Sequence, residues 1–261
     1  MIKTKVIGRV FRQDEIADQI YDMWIETELA QGARPGQFVC VYTKNAAALL
    51  PRPISICEVN EEKTMLRLVY RTVGTGTNEF ADYHAGTEIS LLGPLGNGFP
   101  VEKAAGKRVF LIGGGIGIPP MLQLSKEIKK AGQAYCELSV LGYRNELFLN
   151  TDLEKYSQVY VATEDGSAGT KGTVLDAIKE KGLSGDVIFA CGPMPMLRAI
   201  KEYAAANNME AYISLEEHMA CGVGACLGCV CKTKNVDVHS HVHNSRICTD
   251  GPVYNAEEVE I

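Results

Sequence analysis

The chain has 261 residues, a formal net charge of −6, and hydrophobic residues at 46% of positions. An acidic balance with no basic block argues against nucleic acid, and no apolar run approaches the ~20 residues that span a bilayer. Nine cysteines, odd in number and partly scattered through apolar runs, do not form a disulfide framework. Residues 1–10 alternate polar and apolar like a strand and lack the apolar core of a signal peptide. The expected setting is a reducing, cytoplasmic one, and the length suits two domains plus a small appendage.

From the N-terminus, short β-branched or aromatic runs predict strands over 5–11, 21–27, 37–43, 54–58, 64–69 and 88–92. Turn residues separate them, as in Arg34-Pro-Gly-Gln37, Asn60-Glu-Glu-Lys63 and Gly93-Pro-Leu-Gly96. Regular short strands of this kind suggest an antiparallel β-barrel or sandwich. The rhythm changes near residue 100. Apolar strands over 108–113, 137–141, 159–163 and 187–191 alternate with helices over 119–131, 173–181 and 193–207. Such alternation implies an α/β unit, a Rossmann-like doubly wound parallel sheet. The expected domains are 1–101, 102–214 and 215–261.

After the first parallel strand comes Ile112-Gly-Gly-Gly-Ile-Gly-Ile-Pro-Pro-Met121. It contains G-x-G-x-x-P at Gly115, Gly117 and Pro120, and a tight turn without side chains lets a pyrophosphate approach a helix N-terminus. Pro at the helix start fits, because its missing N–H would have had no partner there. The bland alternative is a tight strand-to-helix turn. A second small-residue turn, Cys191-Gly192-Pro193, lies at the end of another parallel strand, over the same crevice where such sheets bind ligands. Cys191 is either a buried structural thiol or a small side chain facing the reacting centre. NAD(H) is favoured over its 2′-phosphorylated form, since Arg144 is followed by Asn145 and Glu146.

Near the C-terminus, Cys221, Cys226 and Cys229 are spaced C-x4-C-x2-C, with Cys248 following. This is the plant-type spacing for a [2Fe-2S] cluster. Two irons need four terminal thiolates, and three can come from one loop rich in glycine. Cys231 could compete for the fourth place, but a ligand from another direction favours Cys248, returned by a hairpin over 232–247 with its turn near Lys234-Asn235. A zinc site is the alternative, although zinc sites usually pair their cysteines as two C-x2-C knuckles. His239, His241 and His243 alternate on one face of that hairpin and read as a solvated strand face.

Taken together, Arg52-Pro-Ile-Ser55, Gly74-Thr-Gly-Thr77, G-x-G-x-x-P, Cys-Gly-Pro, the cysteine loop and Cys248-Thr-Asp-Gly-Pro-Val253 carry a resemblance over essentially the whole chain. The chain resembles the ferredoxin–NADP reductase superfamily, and within it the electron-transfer subunits of bacterial NAD-dependent (class 1B) dihydroorotate dehydrogenases. The resemblance implies FAD on the barrel. Arg52 would pair with the pyrophosphate, Ser55 would hydrogen-bond the flavin near N5, and Pro53 and Ile54 lie between them. Val69, Tyr70 and Arg71 would run along the flavin, with Tyr70 stacking, and Gly76 and Thr77 would contact the pyrophosphate. It further implies an FMN-containing catalytic subunit as partner, in a heterotetramer of two catalytic and two electron-transfer chains.

NADH releases two electrons at once and the cluster accepts one, so a flavin between them is chemically required. The resemblance thus implies transfer between NAD(H), FAD and the cluster, with dihydroorotate oxidised on the partner in pyrimidine biosynthesis. No Ser/His/Asp or paired-carboxylate set offers acid–base catalysis in this chain. Two alternatives remain: a related flavin/iron–sulfur subunit of a ferredoxin:NADP transhydrogenase or sulfhydrogenase, and a zinc-stabilised binding protein with an empty dinucleotide fold.

Overall fold

The computed structural model describes residues 5–237 and 241–261. The first hundred residues close an antiparallel barrel from β1 (Lys5–Ala17), β2 (Ile20–Glu26), β3 (Phe38–Tyr42), β4 (Arg52–Val59), β5 (Met65–Arg71) and β6 (Glu88–Leu95), in the order β1-β2-β5-β4-β3-β6. Alternate residues such as Ile25, Val39, Val41, Ile56, Leu66, Leu68 and Leu91 fill its interior. An α-helix, α1 (Thr75–Ala81), interrupts it between β5 and β6. Its buried Phe80 anchors it to the barrel core, which is why a short segment with Gly76 in its first turn becomes helical.

The α/β unit follows: β7 (Arg108–Gly114), α2 (Pro119–Ala131), β8 (Cys136–Tyr143), α3 (Asn150–Leu153), β9 (Gln158–Thr163), β10 (Thr170–Lys171), α4 (Val174–Glu180), β11 (Val187–Cys191), α5 (Met194–Ala206) and β12 (Glu210–Ser214). All its strands up to β12 are parallel, and β7 and β11 are buried nearly throughout, as strands covered on both faces must be. Helix α2 starts with Pro119-Pro120 and ends at Gly132, whose left-handed φ of 63° lets its N–H reach the Ile128 and Lys129 carbonyls.

Strand order is β10-β9-β8-β7-β11-β12-β15, so the chain reverses direction across the sheet between β7 and β11. The last member, β15 (Val253–Asn255), is antiparallel and comes from the C-terminal segment. Sequence reading did not anticipate this strand, because a three-residue edge strand has no periodicity to detect. The expected hairpin exists only as β13 (Val230–Lys232) paired with β14 (Asn244–Arg246). Its connection is long, not a tight turn at Lys234-Asn235: Thr233 bridges Val259 and Lys234 N–H bonds the Glu258 carbonyl, which draws this stretch to the chain terminus. The stripe of three histidines cannot be placed, since His239 lies outside the described residues.

Candidate functional site

Strands β4 and β5 pair only from Ile56↔Leu68 outward. Beyond that point Arg52–Ser55 pair with β3, and Val69–Arg71 with β2, so the two strands part where the flavin residues were expected. Arg52 crosses this opening to lie on Gly76 in the first turn of α1; a Cβ there would stand 2.1 Å from the Arg52 Nε. Its Nη1 donates to the Leu50 carbonyl. The guanidinium thus lies against the first turn of a helix, whose N-terminal end favours negative charge.

The other expected flavin contacts divide. Pro53 and Ser55 are half-buried and, being paired with Cys40 and Phe38, share their face of β3–β4. Ile54 packs toward the barrel core. Tyr70 belongs to that core: it is 3% exposed, stacks on Tyr21 at 5.9 Å, and donates from its hydroxyl to the Gln13 Oε1 at 2.8 Å. Burial raises its phenol well above the usual range. A stacking role on an external ring is replaced by core packing. Val69 is likewise buried. The Thr77 hydroxyl is used locally, accepting from the Val73 N–H at 2.9 Å and donating to the Gly74 carbonyl at 3.2 Å, so it is not the free hydroxyl expected for a pyrophosphate.

Between barrel and sheet lies a cleft of about 720 Å3. Gly115, Gly117, Gly192 and Pro193 line it from the sheet, above the β7/β11 reversal, and Ala17–Ile20 and Arg71 line it from the barrel. Arg71 therefore faces this cleft. A Cβ on Gly117 would stand 2.4 Å from the Cys191 carbonyl, so the two turns predicted separately are packed backbone to backbone. Pro120 and Cys191 do not reach the cleft wall. Pro120 is buried in the start of α2, and Cys191 is fully buried, its thiol pushed well up by desolvation and by the nearby Glu216. Full burial is what the structural-thiol reading expects.

One cleft residue, Glu216, was missed, and another, Glu146, has a contact that sequence did not show. Glu216 stands two residues beyond the end of β12, and desolvation raises its carboxyl above the usual range. Its position just beyond a strand C-terminus was the available signal. Glu146 accepts from the Asp18 N–H at 3.0 Å, linking the sheet's loop to the barrel's first turn across 128 residues of sequence. No local pattern could reveal that.

In the C-terminal segment the thiols sit in two pairs. Cys221 is hydrogen-bonded to Cys226, and Cys229 to Cys248. Burial raises the Cys221 thiol, but N–H groups of Val223, Cys226 and Ala225 outweigh it and hold it at about 6. Gly228 N–H likewise points at the Cys226 sulfur, at 3.4 Å. Cys248 is pushed up to about 12 by burial and by Cys229. Cys231 turns elsewhere, its thiol against Tyr254. None of the nine cysteines is joined in a disulfide. Two thiol pairs with N–H groups aimed at sulfur suit a two-iron cluster, with two thiolates for each iron.

Comparison with known proteins agrees with this geometry. Residues 216–260 match the iron–sulfur cluster binding domain of dihydroorotate dehydrogenase B, and residues 111–202 match the oxidoreductase NAD-binding domain. Proteins named dihydroorotate dehydrogenase B (NAD(+)), electron transfer subunit, are similar over nearly full length. The one from Bacillus velezensis is 44% identical, covering 95% of each chain, and the one from Listeria monocytogenes is 40% identical, covering 100% of each. Among solved structures, an NADH-dependent reduced ferredoxin-NADP oxidoreductase superposes with a TM-score of 0.86 at 29% identity, covering 98% of this chain and 90% of that one. A ferredoxin NADP+ reductase from Neisseria gonorrhoeae with bound FAD and NADP shares the fold, at a TM-score of 0.65, 15% identity, and coverage of 78% and 91%.

Proposed function

The chain belongs to the electron-transfer subunits of dihydroorotate dehydrogenase B, and from that premise we propose which residues hold each redox group. The subunit passes electrons between NAD(H), FAD and an iron–sulfur cluster, while dihydroorotate is oxidised on a separate catalytic subunit. When bound, the flavin supplies the conversion between two-electron hydride chemistry and the cluster's single-electron steps.

Arg52 and the first turn of α1 at Gly76 and Thr77 hold the FAD pyrophosphate by charge and backbone N–H groups. Ser55 and Pro53 face the ring from β4. Gly115, Gly117, Gly192 and Pro193 admit the dinucleotide to the cleft, whose barrel wall includes Arg71. Cys221, Cys226, Cys229 and Cys248 ligate a [2Fe-2S] cluster, and Cys231 does not. No member of this set abstracts a proton from carbon, so the work of the protein is binding, orientation and exclusion of water.

One observation carries this reading: a single barrel forms a wall of the dinucleotide cleft with Ala17–Ile20 and Arg71, and packs the cysteine loop on strands β3 and β6. A flavin on that barrel stands between the two. The partner bears FMN and assembles as two catalytic with two electron-transfer chains. It docks over the cluster loop, where Val223 and Leu227 are exposed. Cysteines not joined in disulfides favour a cytoplasmic setting. No helix among the described residues is long and apolar enough to cross a membrane. A ferredoxin-linked relative shares the architecture, but at lower identity than the dihydroorotate dehydrogenase subunits.

The test is purification with the catalytic subunit. Visible absorption from flavin and cluster, with dihydroorotate-dependent NAD reduction by the complex, is expected. A colourless zinc-containing chain would overturn the reading.

A further inference from the structure

The cluster loop meets the barrel at one thiol that the ligand set does not use. Gly222, with φ of +67°, follows the ligand Cys221, and a Cβ on it would stand 2.9 Å from the Cys40 sulfur, with Leu95 at 3.2 Å and Leu92 at 3.9 Å. Cys40 is fully buried on β3. Its side chain leaves the barrel: its neighbours Val39 and Val41 fill the barrel interior, whereas Cys40 and Phe38 join the core that contains Cys229 and Cys248. Across the ladder Cys40 pairs with Pro53, and Phe38 with Ser55. Paired residues of antiparallel strands stand on the same face. One side chain therefore touches the cluster loop and neighbours the strand that faces the flavin.

We propose that Cys40 is the positioning residue for transfer between flavin and cluster: its sulfur is the spacer that sets the distance from Pro53 and Ser55 on β4 to Gly222 and Cys221. This rests on the assignment of FAD to β4 and of the cluster to Cys221. Cys40 exchanges no electron itself. When bound, the flavin and the cluster would supply the electron transfer, one electron at a time at the cluster and onward to the catalytic subunit, and the Cys40 thiol stays a thiol throughout. Its volume is what matters, because tunnelling falls steeply with separation and interiors transmit the strain of an added methylene.

The test uses the complex with its catalytic subunit, mixed with NADH, following flavin bleaching by absorbance and cluster reduction by freeze-quench EPR. Cys40→Ser, of nearly the same size, is expected to match the unmodified protein. Cys40→Leu pushes the loop outward and is expected to slow cluster reduction by on the order of tenfold, since about 1 Å of misplacement can cost up to ~100-fold in a positioned reaction. Flavin bleaching should keep its rate. In the Gly222→Ala protein, which drives a Cβ toward the sulfur, adding Cys40→Ala should recover part of the lost cluster-reduction rate. If Cys40→Leu loses a cofactor, this pair of variants decides instead. Unchanged cluster-reduction rates in cofactor-replete Cys40→Leu, or no recovery in the double variant, overturn the spacer role. Absence of NADH-dependent bleaching in the unmodified complex would instead overturn the functional reading on which it stands.

Discussion

The Arg52 side chain lies flat against Gly76, so closely that any side chain at 76 would occupy the guanidinium's place. Two motifs 24 positions apart in sequence thereby meet at one place, where we propose the FAD pyrophosphate binds. Arginine supplies a fixed fork of donors, and glycine is the one residue that lets it approach the helix start.

Arg52→Ala should weaken FAD binding by about 10- to 150-fold, from the ~1.5–3 kcal/mol of a charge-assisted hydrogen bond. Gly76→Ala should also weaken it, with the charge still present, because the guanidinium is displaced. FAD titration followed by flavin fluorescence checks both. Normal affinity in either variant removes that residue from the site.

Cys226→Ser should abolish or strongly weaken the reduced-cluster EPR signal, and Cys231→Ser should preserve it, since the Cys231 thiol is turned toward Tyr254. Loss of the signal in the Cys231 variant, with retention in Cys248→Ser, would exchange their roles.

Isolated, the chain should reduce a dye with NADH but leave dihydroorotate untouched. Adding the catalytic subunit should give dihydroorotate-dependent NAD reduction. Val223→Glu or Leu227→Glu should weaken that association, measured by ultracentrifugation, without changing FAD content. Dihydroorotate turnover by this chain alone would contradict the division of labour.

Glu137, at the start of β8 and bonded by the Ser125 hydroxyl at 3.1 Å, is raised by burial from 4.5 to about 7. The sign is opposite to that of a salt-bridged acid. The folded state holds the proton more tightly than the unfolded one, so stability is greatest below pH 4.5 for this group. It falls as pH rises to about 7, and is level above. Glu137→Gln should remove this loss and raise Tm at a pH of about 8 relative to the unmodified protein. An equal Tm in both proteins at that pH would show that the carboxyl carries no such cost.

Much of this protein was legible in its sequence. Short β-branched and aromatic runs between turn residues, then apolar strands alternating with helices, separated barrel from α/β sheet, because these residue types suit a pleated, half-buried surface. The C-x4-C-x2-C spacing declared the cluster for a similar reason: three ligands from one loop are a local constraint. Gly115 and Gly117 were readable as a turn that must come close to something.

Tertiary structure decided what those residues touch. Tyr70 looked like a stacking ring and became barrel core, because its environment is made by Tyr21, Phe80 and Gln13 on other elements. Thr77 spent its hydroxyl on its own loop, and Cys191 vanished beneath the turn it belongs to. β15 joined the sheet, and Asn97 at the end of the barrel tied down the carbonyls of Asp250 and Val253, at 3.0 and 2.7 Å, to seat the cluster segment. Local sequence fixes conformation and chemical type through short-range sterics. Contacts between residues 100 or more positions apart, such as Cys40 with Gly222, exist only once burial of apolar surface has folded the chain around them.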